Sequence, residues 1–130
     1  METKHLNAKG KGQVIYDYTN DILLFKIKNR DYDKSIDFDD NNLSIDIDKE
    51  GFITGVQIFD ATEVFNLKKG VLQEIKAFEF NSKCENNVIT IQLKFVCVLR
   101  NKQIERCGQN FIREAFDTQI NNSEALCTVN

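Results

Sequence analysis

Apolar residues recur at every second position through most of this chain, a period that belongs to strands rather than helices. Val14, Tyr16 and Tyr18 alternate with Gln13, Ile15 and Asp17. The cluster Thr19-Asn20-Asp21 is a turn, and Ile22 to Ile27 returns as a strand, apolar on both faces at its start. Ile36 and Phe38 alternate with aspartates, and Asp40-Asn41-Asn42 breaks that run. Leu43, Ile45 and Ile47 then alternate with Ser44, Asp46 and Asp48. Asp48-Lys49-Glu50-Gly51 predicts a tight turn with glycine available for positive φ, and Phe52 to Phe59 the answering strand. Within it Gly55 marks a bulge or a close approach. Asp60 or Thr62 is placed to cap a short helix through Val64, Phe65 and Leu67, closed by Lys68-Lys69-Gly70.

The second half repeats the strand period on a longer scale. Glu74 to Cys84 predicts a strand and Glu85-Asn86-Asn87 a turn. From Val88 to Leu99 the pattern is cleanest: Ile89, Ile91, Leu93, Phe95, Cys97 and Leu99 share one wholly apolar face. Such a face must be covered, by the first half of the chain or by a second copy. Asn101-Lys102 suits a tight turn. Beyond it, Phe111 with Ala115 and Ile112 with Phe116 pair at four-residue spacing, which favours a short helix from Asn110, with a continued hairpin strand as the alternative. Ser123 to Val129 adds an edge strand.

The expected fold is α+β, mainly antiparallel β, with strand hairpins and one or two short helices on the sheet. Residues 1–12 hold little apolar content and two glycines and read as a flexible tail. Residues 13–69 form a small α+β module, and 70–130 a β-rich half packed with it as one compact domain, consistent with 130 residues.

Composition narrows the function more by exclusion than by assignment. Net charge is −3, yet Asp31 to Glu50 alone holds eight acidic residues and two lysines. That block repels a phosphate backbone, so nucleic acid is not an expected partner. No apolar run is long enough to span a membrane, and the opening METKHLNAKGKGQ lacks the apolar core of a signal peptide, so a cytoplasmic protein is expected. Cys84, Cys97, Cys107 and Cys127 show no C-x-x-C pair and read as separate thiols, Cys97 in the core. His5 is the only histidine and lies in the expected tail, which removes most nucleophile–histidine arrangements. Gly10-Lys11-Gly12 is too short to cradle a phosphate. No cofactor is expected.

Two acidic sets remain as candidate chemistry. Asp46, Asp48 and Glu50 with Gly51 match the opening of a calcium loop, but Gln57 stands where the closing bidentate glutamate belongs and the flanks alternate as strands. The structural reading is a solvated strand face running into a turn. Asp17, Asp21 and Asp60 lie at strand ends, where converging carboxylates serve as acid and base if their pKa values are driven apart. The structural reading there is that Asp21 orders a turn and Asp60 caps a helix.

Several of these residues fall in an ordered pattern. Tyr16, Asp17 and Asp21 open it, Asp46, Asp48 and Gly51 form a D-x-D-x-x-G turn, and Asp60-Ala61 with Thr62 closes it. In this the chain resembles the family of proteins known as domain of unknown function 2283, over about residues 14–62. The resemblance implies a small strand-rich fold with a helix and no established reaction. The expected function is that of a non-enzymatic β-rich protein that self-associates, as a homodimer, or binds a small protein partner. The alternatives are an acid/base or metal-assisted hydrolase using the clustered aspartates, or a weak divalent-ion module.

Overall fold

The computed structural model describes residues 3–38, 42–99, 103–115 and 119–130, with the backbone alone for 99 and 103–106. The expected turns at Asp40-Asn41 and Asn101-Lys102, and the position of Phe116, lie outside the described residues. The strands are β1 (Lys4–Asn7), β2 (Gly12–Asp17), β3 (Ile22–Ile27), β4 (Tyr32–Asp37), β5 (Leu43–Asp48), β6 (Ile53–Phe59), β7 (Ile75–Glu85), β8 (Val88–Leu99), β9 (Gln103–Glu114) and β10 (Ser123–Val129). Two short helices, α1 (Ala61–Phe65) and α2 (Lys69–Leu72), follow β6.

The strands form two five-stranded sheets, β2-β3-β6-β5-β4 and β1-β10-β7-β8-β9. Every pair is antiparallel except β1 with β10. The mainly antiparallel β expectation with two short helices therefore holds, and the halves stack as the layers of a sandwich. The apolar face of β8 is covered from within the chain. Phe25 of the first sheet lies with its ring centroid 5.1 Å from Phe78 and 5.9 Å from Phe95 of the second. Phe65 of α1 meets Phe95 edge-on at 5.0 Å. Cys97 is fully buried in the same layer, as its place in the alternation requires. A polar bond also crosses the core, where the Ser82 hydroxyl donates to the Ile53 carbonyl at 2.9 Å. That satisfies two groups that burial would otherwise penalise.

Three expectations give way. The first is the tail at residues 1–12: β1 pairs in parallel with β10, Lys4 opposite Ser123. The ladder continues as Ala8 N–H and Gly10 N–H donate to the Leu126 and Thr128 carbonyls. Backbone pairing, which hydropathy does not record, holds this polar segment in place. The second is the helix from Asn110: Phe111, Ile112 and Ala115 belong to β9 and its end, with Phe111 and Ala115 buried and Ile112 exposed. Spacing of four satisfies a strand as well as a helix, and the twelve-residue ladder to β8 decides between them. The third is the stop signal at Lys68-Lys69-Gly70. α1 instead ends at Asn66, which takes the left-handed conformation at φ 54° and donates its N–H to the Thr62 carbonyl, while Gly70 lies inside α2.

Gly12 marks where the chain leaves the second sheet for the first. A Cβ there would fall on the Cys127 sulfur, 2.7 Å from Phe78 Cζ and 3.0 Å from Val129 Cγ2. Gly12→Ala is expected to destabilise the fold by about 1–3 kcal/mol through overpacking. Urea denaturation monitored by circular dichroism reads this directly, and an unchanged midpoint would contradict it.

Candidate functional site

The carboxylates singled out from the sequence separate into two structural groups. Asp21 sits in the β2–β3 turn at φ 56°, a left-handed conformation that costs energy for a residue with a side chain. Its compensation is a clasp onto α1. The Asp21 carbonyl accepts from Ala61 N–H at 3.1 Å. Its carboxylate accepts from Thr62 N–H at 3.2 and 3.3 Å, from the Thr62 hydroxyl at 2.6 Å and from the Tyr16 hydroxyl at 2.7 Å. Asp21 thus caps a helix 41 residues away. Asp60 occupies the N-cap position at φ 53° but makes no side-chain capping bond, so the cap expected of it passes to Asp21. Lys69 of α2 closes the same corner, donating to the Tyr18 carbonyl at 2.9 Å with its ammonium 5.0 Å from the Tyr18 ring centroid.

The electrostatics follow from those bonds. Burial pushes the Asp21 carboxyl up, but the bonds from Thr62 and Tyr16, with Lys69 nearby, outweigh it and hold the group below the ordinary carboxylate range. Burial, reinforced by the bond to Asp21, pushes the Tyr16 phenol well above its usual value. Asp17 closes the turn through bonds from the Asn20 side chain (2.8 Å) and backbone (3.1 Å), which hold its carboxyl low. Neither Asp17 nor Asp21 carries a proton near neutrality, so neither can fill the role of the acid in an acid/base pair.

The second group is organised by an arginine the sequence reading did not single out. Asp48 is not on a solvated face: its side chain is 1% exposed. One carboxylate oxygen accepts from the Glu50 and Phe52 N–H groups, each at 2.9 Å. The other accepts from Arg30 Nε at 2.7 Å, and Arg30 Nη2 reaches Glu50 at 2.9 Å. The guanidinium also lies 5.6 Å from the Phe52 ring centroid. Gly51 at φ 90° makes the turn that brings these N–H groups round. Asp46 faces outward, accepts from the Ser35 hydroxyl at 2.6 Å, and lies over Gly55, where a Cβ would come within 2.8 Å of its carboxylate. Gly55 therefore records a close approach, with a register shift opposite it between Asp46 and Ile47. Asp46, Asp48 and Glu50 are thus committed to Ser35, the turn backbone and Arg30, and a cation at Asp48 would have to displace a guanidinium.

Most of the cysteines are withdrawn from solvent, whereas the histidine is not. None of the four cysteines forms a disulfide, and three of them are buried. Burial pushes the Cys127 thiol up to about 11 and raises Cys84 as well. His5 lies on β1, 3.3 Å from Glu124 and largely exposed. No group of three metal-ligating side chains occurs among the described residues. An open groove of about 540 Å³ crosses the outer face of the first sheet beside Gln13, Lys26, Arg30, Tyr32 and Asp46, and none of Asp17, Asp21 and Asp60 lines it.

The fold is a two-layer β-sandwich in which Asp17, Asp21 and Asp48 fasten turns and the start of α1. Residues 13–61 match the family described as "Protein of unknown function (DUF2283)", and the chain belongs to that family. The matched segment is the first sheet, β2 through β6, ending at the first residue of α1. An uncharacterized protein of Methanocaldococcus jannaschii is 34% identical over 95 residues, covering 72% of this chain and 80% of its own. A protein of Methanosarcina mazei named "Putative hypoxanthine phosphoribosyltransferase" is 33% identical over 108 residues, covering 80% and 86%. Alignments of that length run past α1, so the likeness extends into the second sheet. No solved structure matches the chain.

Two predictions follow from the clasp and from Arg30. Unfolded, Asp21 titrates near about 3.9 and Tyr16 near about 10. With Asp21 depressed and Tyr16 raised in the fold, the clasp stabilises fully between those values. Its contribution drains as pH falls through the lower folded value of Asp21, and as pH rises above the ordinary phenol range. Asp21→Asn is expected to cost about 1–2 kcal/mol near neutrality and to flatten the acid limb of stability against pH, while Tyr16→Phe flattens the alkaline limb. Urea titrations across pH check both, and a variant whose limb matches the wild type would refute the assignment. Millimolar calcium is expected to leave the melting temperature unchanged, because Arg30 holds the Asp48 oxygen a cation would need; a rise reversed by chelator would show otherwise.

Proposed function

We propose that this protein is a non-catalytic binding module that works through self-association, with a small protein partner as the alternative occupant of the same surface. One observation carries the reading: the carboxylates that looked most like chemistry, Asp17, Asp21 and Asp48, are spent on a turn, a helix cap and a buried ion pair. What the fold leaves on offer is sheet edge and outer sheet face, which recognise other chains rather than transform substrates. No helix among the described residues is long and apolar enough to cross a membrane, and a cytoplasmic setting suits cysteines that form no disulfide.

The name carried by the Methanosarcina mazei relative is a weaker guide. Transfer of a phosphoribosyl group needs a cradle for pyrophosphate, ordinarily backbone N–H groups at a helix N-terminus. The helices here have five and four residues, and the first turn of α1 is already occupied by Asp21.

Sedimentation equilibrium over a wide dilution series is the test. A mass that rises from 15.0 kDa toward twice that value with concentration is expected. A chain that stays monomeric throughout would overturn the self-association reading.

A further inference from the structure

Resting on that reading, we propose that the outer edge of β9 is the docking strand, pairing antiparallel with β9 of a second copy about a two-fold axis at Asn110. The sandwich has four edge strands, β1, β9, β2 and β4. Three are short: β1 has four residues, while β2 and β4 have six. β4 is further protected by Asp33, Lys34 and Asp37 and by a register break between Tyr32 and Lys34. β9 has twelve residues, pairs with β8 without a break, and contains no proline or bulge to blunt it.

The direction of its backbone groups can be read from two bonds. Ala115 N–H points toward the β8 side, donating to the Asn87 carbonyl at 2.9 Å. The Ile112 carbonyl points the other way, where the side chain of the next residue, Arg113, donates to it at 2.9 Å. By strand alternation the N–H and C=O groups of Gly108, Asn110 and Ile112 face outward from the sheet edge. Gly108, Asn110 and Ile112 are exposed, Ile112 at 66%. A long ladder with outward donors and acceptors is a template for another strand.

The strand is complementary to itself. With Asn110 opposite Asn110, the position of Ile112 falls opposite Gly108 of the second copy, so the exposed side chain meets the residue that leaves it room. The position of Glu114 falls opposite Arg106 of the second copy, and the two-fold repeats that opposition of unlike charge. Directly opposed unlike charges and a large residue over a glycine both favour a cross-strand register. An unrelated strand would supply neither reciprocally, so the second copy is the occupant the observations favour.

Asn110→Pro is the sharpest variant. The Asn110 N–H faces away from β8, so proline there removes only bonds to the second copy. The sedimentation mass is expected to fall from twice 15.0 kDa to 15.0 kDa with an unchanged circular dichroism spectrum. Asn110→Cys supplies an independent reading, because self-opposed bonded residues lie about 5.5 Å apart at Cα, within disulfide reach. Mild oxidation should yield a covalent dimer, and Thr90→Cys, one strand further in, should not. A dimer that survives Asn110→Pro and fails to cross-link at Asn110→Cys overturns the β9 assignment while leaving self-association intact. A wild type that is monomeric at every concentration overturns both. Should the proline variant unfold, the cysteine pair alone decides.

Discussion

Phe25 is the point on which the two sheets depend. It is fully buried and touches Phe78 and Phe95, one ring from each of the two longest central strands of the opposite layer. A sheet of twelve-residue strands with one apolar face cannot exist alone in water, and the first sheet supplies the cover. Because the cover is internal, the apolar stripe of β8 no longer calls for a second copy, and any association must use edges and outer faces. The inner layers thus serve stability, and under the proposed function the outer edges serve recognition.

Polar residues finish what the aromatic layer begins. The Tyr16-Asp21-Thr62 clasp fixes the β2–β3 turn to α1, and the Arg30-Asp48 pair fixes the β5–β6 turn to the loop after β3. Both are partly or wholly withdrawn from solvent, where a hydrogen bond to a charged group is worth more and leaving one partner alone costs more. The family segment, residues 13–61, contains Tyr16, Asp21, Arg30 and Asp48 and stops one residue short of Thr62, so most of both fastenings lies within it.

Much of this was legible in the sequence because period-two alternation is a direct image of a half-buried strand. The stripe from Ile89 to Cys97 appears in the structure residue for residue, and Leu43, Ile45 and Ile47 are buried as the alternation requires, although Ser44 between them is buried as well. Asn86-Asn87 was a turn on composition and takes positive φ at both positions. What hydropathy could not show was backbone pairing without side-chain burial, as in β1, and pairing across long separations. Asp48 looked solvated because its partner, Arg30, lies 18 residues earlier with no local signal. Asp21 was recognisable as a turn residue, but its second role required knowing that α1 would be delivered to it by β6. For β9, spacing of four fitted helix and strand alike, and only the ladder to β8 decides.

The parallel pairing of β1 with β10 has a consequence for how the molecule is assembled. Lys4 cannot find Ser123 until the intervening chain has been made, so this pairing closes one of the longest loops in the fold. Contacts of such separation carry a large loop-closure penalty before they return any stability, and topologies rich in them fold slowly. β1 precedes β10 in the chain, so it is β1 that has no strand to pair with until that docking, which makes it a latch rather than a foundation.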